Sequence, residues 1–244
     1  MKKKVLWMAL LLCMVIFSAC AEKKEKDTQQ VQNLEFPGLT WDMTPDDVLK
    51  KFEMAKEDAV LYDENDRTTS FGIQDLEVFG LKAERVLFNF IDYSSFENMP
   101  AQGEGKRRLC QILVFYPQDA DLKPVKENMD KAYGATVSEY YPFYQGLEDD
   151  ATIRMEPVKE SESLKYWSSS TLADVLAKDD LEDYKTYWKN CREGLNDDNW
   201  DFFKDHAKMV SVIFSDQEGE TGKGLEWDAQ NLAVYEELNA QIAK

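Results

Sequence analysis

The order of the predicted elements is the feature that most constrains the fold of this chain. A helix precedes two apolar, β-prone runs, Arg85 to Ile91 and Arg108 to Tyr116, and a second helix from Asp121 to Gly134 precedes further strand signals. The strict alternation of strand and helix that is typical of parallel sheets is missing. The sequence therefore predicts an α+β fold with helices packed on antiparallel sheet. The repeated order also favours two tandem helix-then-strands units, residues 33–118 and 119–244.

The clearest signal for the N-terminus of a helix lies near the beginning of the first unit. Thr44 is a good N-cap, Pro45 suits the first helical position, and Asp46 and Asp47 favour the positive end of the helix dipole. The pattern W-x-M-T-x-x-D-V, which begins at Trp41, resembles the opening helix of small exported α+β modules. These include small lipoproteins of outer-membrane assembly and repeats of the β-lactamase-inhibitory-protein type. The resemblance implies a body that binds other proteins rather than one that catalyses a reaction.

The first twenty residues carry the parts of an export signal, residues 1–19, that ends before a cysteine. Three lysines at positions 2–4 are followed by an apolar run, Val5 to Phe17, that is too short to span a bilayer. The quartet Phe17-Ser18-Ala19-Cys20 resembles the lipobox of bacterial lipoproteins. The resemblance implies cleavage before Cys20, diacylation of its thiol, and residence on the extracytoplasmic face of a bacterial membrane. An ordinary signal peptide with a chance cysteine and an uncleaved helical anchor are the alternatives.

Residues 20–32 are predicted to be the lipidated cysteine and a flexible tether. The stretch AEKKEKDTQQVQ after Cys20 has almost no apolar side chains, and its three lysines balance its three acids, so it has too little apolar surface to fold. Twelve such residues reach about 40 Å when extended. The folded body that follows therefore needs no membrane-binding surface of its own.

The net charge of −18 argues against negatively charged binding partners. Loss of the three leader lysines would make the chain still more negative. A strongly acidic body is repelled by nucleic acid and by anionic lipid surfaces, so we expect no nucleic-acid partner. Acidity that only keeps an exported domain soluble is the alternative to a specific acidic site.

Two cysteines, Cys110 and Cys191, remain in the predicted mature body. Outside the cytoplasm two thiols can form a disulfide, so these two are a possible pair. However, Cys110 lies in an apolar, alternating run with Ile112, Val114 and Tyr116 on one side, where it could equally be a small buried hydrophobe. Neither cysteine has the neighbours of a catalytic thiol.

The sequence contains no familiar catalytic or cofactor motif. His206 is the only histidine and is expected at the end of a helix, where a partly exposed histidine is ordinary. Asp197, Asn199 and Asp201 have the spacing of the first ligands of a calcium loop, but position six would be Phe202 rather than glycine. We therefore predict no catalytic residue, metal or cofactor, although dispersed carboxylates could still form a glycosidase pair.

Four aromatic residues around a proline are the best sequence candidates for a contact surface. Tyr140, Tyr141, Phe143 and Tyr144 belong to ring types favoured at protein interfaces and sugar-binding surfaces, although alternate residues of one strand usually serve the buried face of a sheet. The sequence therefore favours a non-catalytic envelope protein that binds another macromolecule, a protein above all. An envelope enzyme acting on glycans or peptides and a solute-binding lipoprotein are the alternatives.

Overall fold

The structure is a computed structural model, and it describes residues 34–96, 106–141, 157–176, 181–192, 194–217 and 222–242. The predicted leader, Cys20 and the tether lie outside these residues. Contacts between Cα atoms group Asn33–Lys244 into one compact unit.

The described residues form six helices and eleven strands. The helices are α1 (Pro45–Lys51), α2 (Lys123–Tyr133), α3 (Leu172–Val175), α4 (Leu181–Cys191), α5 (Asp197–His206) and α6 (Gln230–Ile242). The strands are β1 (Val60–Glu64), β2 (Thr68–Gln74), β3 (Glu77–Val78), β4 (Leu81–Lys82), β5 (Arg85–Ile91), β6 (Arg108–Phe115), β7 (Glu139–Tyr140), β8 (Val158–Lys159), β9 (Leu164–Ser168), β10 (Ser211–Asp216) and β11 (Lys223–Asp228).

A seven-stranded sheet in the order β1-β2-β5-β6-β11-β10-β9 forms the centre of the fold. All of its strand pairs are antiparallel, so the predicted α+β class is confirmed. Strands β3 and β4 form a small hairpin, and β7 pairs with β8. Within the large sheet, β6 pairs with β11 along residues 111–115 and 224–228, so strands from the stretches 33–118 and 119–244 share one sheet.

Local chemistry explains where α1 begins. The Thr44 hydroxyl accepts from the backbone N–H of Asp47, whose carboxylate accepts from the backbone N–H of Thr44, which completes a capping box. Pro45 occupies the first helical position as predicted. The helix ends at Lys51, because Glu53, two residues further on, has a positive φ of 52° that ends the helical path.

A β-bulge in β6 corrects the predicted orientation of Cys110. Asn89 lies opposite Gln111, whereas Phe90 lies opposite Leu109, so Cys110 is the extra residue. The bulge turns Cys110 away from the face that carries Ile112 and into a different core cluster. The prediction that side chains alternate strictly between the two faces along β6 is therefore wrong at Cys110.

Strand β11 was not predicted from the sequence. Its sequence, KGLEWD, has a glycine and no β-branched residue, and so it lacks an ordinary strand signal. Gly224 suits this strand because a Cβ at this position would overlap the backbone oxygen of Val114 in β6.

The two faces of the sheet are covered differently. One face packs with α1 and α2 around rings that include Phe71, Phe88 and Trp227. A second cluster gathers apolar side chains of α3 to α6, among them Trp188, Phe203 and Leu238. No helix among the described residues has the length and apolar character needed to cross a membrane.

We expect Gly224→Ala to destabilise the protein by more than about 2 kcal/mol, because the added Cβ would overlap the backbone oxygen of Val114 in the strand pair that joins the two stretches. Gly72→Ala is the comparison variant and should cost less, since its Cβ would meet side-chain atoms of Leu87 and Val60 at 2.9 Å and no backbone atom closer than 3.3 Å. Urea unfolding measures both free energies. Equal losses for the two variants would contradict this account of the β6–β11 pair.

Candidate ligand-binding cavity

A cavity of about 1320 Å³ lies over the sheet face that does not carry Ile112 and Trp227. Its floor consists of alternate side chains of four adjacent strands, because successive side chains of a strand point to opposite faces. The floor residues are Gln111, Leu113 and Phe115 of β6; Gly224, Glu226 and Asp228 of β11; Ser211, Ile213 and Ser215 of β10; and Leu164 and Tyr166 of β9.

The walls of the cavity come from helices, a short strand and loops around this face of the sheet. The end of α4 and Arg192 form one part, and α5 with Lys208 forms another. Strand β7 and Tyr141 add aromatic side chains, while Arg67 and Phe96 approach from the first stretch. The guanidinium carbon of Arg67 lies 4.8 Å from the centre of the Phe96 ring, a cation–π contact.

A ladder of polar side chains crosses three strands and leads into the floor. The Asn89 amide donates to the Gln111 carbonyl oxygen at 2.8 Å, and the Gln111 amide donates to Glu226 at 2.9 Å. These bonds fix the Gln111 amide and one Glu226 oxygen. Sequence reasoning missed this ladder because its members lie far apart in the chain.

Glu226 is held in an environment that disfavours its charge. Burial removes its carboxylate from water, and the nearby negative charge of Asp228 adds to this effect, so the pKa of Glu226 is raised above 4.5. The hydrogen bond from Gln111 opposes the shift. Glu226 and Asp228 are two residues apart on one strand, so both side chains reach the same cavity.

Two members of the predicted aromatic surface line the cavity. Tyr140 lies with its ring centre 5.2 Å from that of Tyr166, and Tyr141 lies 4.6 Å from His206. Both tyrosines are partly exposed, so neither is a fully buried core residue, and their role in a contact surface stays a prediction. Phe143 and Tyr144 lie outside the described residues.

His206 ends α5, as its sequence context predicted. Its ring stacks on Phe202 with 3.9 Å between ring centres, and its Nδ1 lies 2.9 Å from the Phe202 carbonyl oxygen. Asp197 begins the same helix, which Asn196 caps, so helix capping rather than a calcium loop accounts for the acidic spacing there. Among the described residues no group of three or more His, Cys, Asp or Glu side chains is placed to hold a metal ion.

Cys110 and Cys191 are buried in the same core cluster, and no disulfide joins them in the structure. Cys191 lines the cavity, and burial raises its pKa to about 12. Burial also raises the pKa of Cys110, whose thiol donates to the Asn89 carbonyl oxygen at 3.2 Å. Both thiols are therefore protonated at neutral pH and are poor nucleophiles. Their pairing in an oxidising compartment stays a prediction.

Arg192 and Lys208 are cavity residues that sequence reasoning did not single out. Arg192 directly follows the last residue of α4, and Lys208 lies two residues after the last residue of α5, positions where a lysine or arginine is common. Only the tertiary fold brings them to one cavity, so the sequence carries no local signal for the pair.

Comparison with known proteins yields no relative: no family model, no curated protein and no solved structure matches this chain.

We expect Glu226→Gln to stabilise the protein at neutral pH, because the neutral amide avoids placing a negative charge in a buried position beside Asp228. Because the folded-state pKa of Glu226 is raised, its contribution to stability is complete below pH 4.5 and is lost as the pH rises through the folded-state value. The gain should therefore disappear below pH 4.5. Urea unfolding at neutral pH and below pH 4.5 measures the free energy of unfolding of the variant and of the parent.

Glu84→Gln, at an exposed position, is the control and should change the free energy of unfolding little at either pH. A Glu226→Gln variant that is less stable than the parent at neutral pH would contradict the raised pKa.

Proposed function

We propose that this is a lipid-anchored extracytoplasmic protein whose α+β body captures a ligand in the cavity over the sheet, without chemical turnover. The cavity is the observation that carries the proposal. Its volume of about 1320 Å³ exceeds the roughly 300–1,000 Å³ of ordinary small-molecule sites, so it offers room for a large solute or for a segment of a polymer.

The position of the aromatic residues favours ligand capture over docking of a flat protein surface. Tyr140, Tyr141 and Tyr166 line a concave site, together with hydrogen-bonding groups such as Gln111 and Ser211. Apolar walls with a few convergent polar groups are typical of ligand sites. A protein partner, as expected from the sequence, would insert a segment into this cavity.

The export signal supports the proposed location. Diacylation at Cys20 would supply two acyl chains, and each buried methylene contributes about 0.8 kcal/mol to membrane attachment. The twelve-residue tether would hold the cavity away from the lipid surface, where soluble ligands have access.

An enzyme is the second candidate, and one observation favours it. Glu226 and Asp228 line the same cavity, and the charge of Asp228 helps to raise the pKa of Glu226. A carboxyl group with a raised pKa, such as that of Glu226, can act as a general acid beside a second carboxylate. Loss of turnover with retained binding in Glu226→Gln and Asp228→Asn would identify an enzyme.

The anchor predicts that radiolabelled palmitate enters the wild-type protein in bacterial cells and that Cys20→Ala abolishes this labelling, because diacylation requires the thiol. Cys191→Ala is the control and should be labelled as the wild type is, since Cys191 is buried in the body. Equal labelling of wild type and Cys20→Ala would refute the proposed anchor.

The cavity predicts one saturable site for N-phenylnaphthylamine, an uncharged aromatic dye whose fluorescence rises in apolar surroundings. The dye-binding measurement uses the chain from Ala21 to Lys244, which lacks only the predicted leader and Cys20. Ser215→Trp should weaken binding at least about tenfold, or about 1.4 kcal/mol, by filling the floor of the cavity.

Ser161→Trp, at an exposed position that does not line the cavity, should bind the dye as the parent does. Absence of saturable binding, or equal binding by the Ser215→Trp variant, would count against ligand capture.

A further inference from the structure

The cavity concentrates positive charge in a chain whose net charge is −18. Its described lining includes four basic residues, Arg67, Lys189, Arg192 and Lys208. Three carboxylates, those of Glu139, Glu226 and Asp228, line it as well. Cations thus outnumber carboxylates here, in contrast to the chain as a whole.

Two of the four cations have local partners that account for their positions. The Lys189 ammonium lies 3.3 Å from an oxygen of Asp197, and Arg67 stacks on Phe96. Arg192 and Lys208 differ, because among the described residues neither has a carboxylate within 4.0 Å of its charged group, as Lys189 has, or a ring stacked on it, as Arg67 has. Their charges are therefore available to a ligand.

Arg192 is held in place by neutral groups. Its Nη1 donates to the Gln230 side chain at 3.0 Å, and its Nη2 donates to the Asn231 side-chain oxygen. Its Nε is buried and has no acceptor among the described residues. Asn231 is itself buried and donates from Nδ2 to the Lys208 carbonyl oxygen at 2.7 Å. One amide thus connects Arg192 to the backbone of Lys208 without neutralising either side chain.

A structural role does not explain the charge of Arg192. Its guanidinium contacts the first two residues of α6, where the helix dipole is positive and a cation is disfavoured. The carboxylate of Asp228 already accepts the Gln230 backbone N–H at 2.9 Å. An additional anion would offset the remaining positive charge.

Lys208 is half-buried and lacks a close counter-ion. Burial lowers the pKa of its ammonium group, which means that the charge is poorly solvated. Asp174 attracts it from a distance, but the Asp174 carboxylate is engaged by the backbone N–H and the hydroxyl of Thr171, at 2.9 and 2.7 Å. An anion in the cavity would stabilise the positive charge of Lys208.

We propose that the cavity recognises its ligand through an oxyanion, a carboxylate or a phosphate group, that is bound between Arg192 and Lys208. The two terminal nitrogens of Arg192 keep N–H groups that the amide acceptors do not use, and an oxyanion forms strong, charge-assisted hydrogen bonds with such donors. The remainder of the ligand lies along the floor towards Tyr140 and Tyr166. The inference rests on the proposed ligand capture and names the group that confers specificity.

Two dyes that differ by one charged group test the oxyanion directly. Anilinonaphthalene sulfonate carries the rings of N-phenylnaphthylamine and adds a sulfonate. Arg192→Gln and Lys208→Gln should each weaken binding of the sulfonate dye about tenfold, equivalent to about 1.4 kcal/mol, and should change binding of the uncharged dye less than about twofold. Lys82→Gln is the control, because Lys82 pairs with Asp75 at 2.8 Å and does not line the cavity; it should affect neither dye.

Charge-retaining variants separate lost charge from disturbed structure. Arg192→Lys and Lys208→Arg should bind the sulfonate dye more tightly than the corresponding glutamine variants, with the far-ultraviolet circular dichroism of the parent. Weakening of both dyes to the same extent, or no effect of either glutamine variant, would overturn the oxyanion site. If neither dye binds the parent protein, the proposed ligand capture fails instead.

Competition identifies the source of the oxyanion. Inorganic phosphate that displaces the sulfonate dye more effectively than acetate would indicate a phosphate-bearing ligand, and the reverse order would indicate a carboxylate. Failure of both anions to displace the dye at any concentration would overturn the proposal.

Discussion

The pairing of β6 with β11 is the interaction on which the rest of the structure depends. It joins residues 111–115 to residues 224–228 and thereby makes one sheet from two distant stretches of chain. The hydrogen bond between Gln111 and Glu226 exists only because of this pairing. Loss of the pairing would separate the floor of the cavity into two parts.

Alternation along the central strands gives the sheet two chemically different faces. On β10, Val212 and Phe214 enter the apolar core, whereas Ser211, Ile213 and Ser215 face the cavity. The same division applies on β11, where Trp227 is in the core and Glu226 and Asp228 are in the cavity. A polar floor is stable because the opposite face supplies the apolar burial that folding requires.

The sequence predicted the elements whose signals are local. Thr44 capped α1 as expected, and the bounds of β5 agree with the apolar run from Arg85 to Ile91. The shared sheet was harder to predict, because KGLEWD lacks a strand signal and tertiary pairing alone makes it β11. The bulge at Cys110 was also hidden, since a periodic pattern of side chains does not reveal an inserted residue.

The candidate site was largely beyond sequence reasoning. Tyr140 and Tyr141 were recognised by composition, but Arg192 and Lys208 are separated in the chain and are brought together through Asn231 and the start of α6. Neither residue has a carboxylate within 4.0 Å of its charged group among the described residues, and only a folded structure can show this.

Substitution of two neighbouring residues on β10 by tryptophan tests most directly whether one sheet face is a cavity and the other a packed core. Ile213→Trp should leave the free energy of unfolding within about 1 kcal/mol of the parent, because the ring enters open space, whereas Val212→Trp should destabilise by about 3 kcal/mol or more through overpacking. Equal destabilisation by the two substitutions, measured by urea unfolding, would contradict the cavity and with it the proposed function.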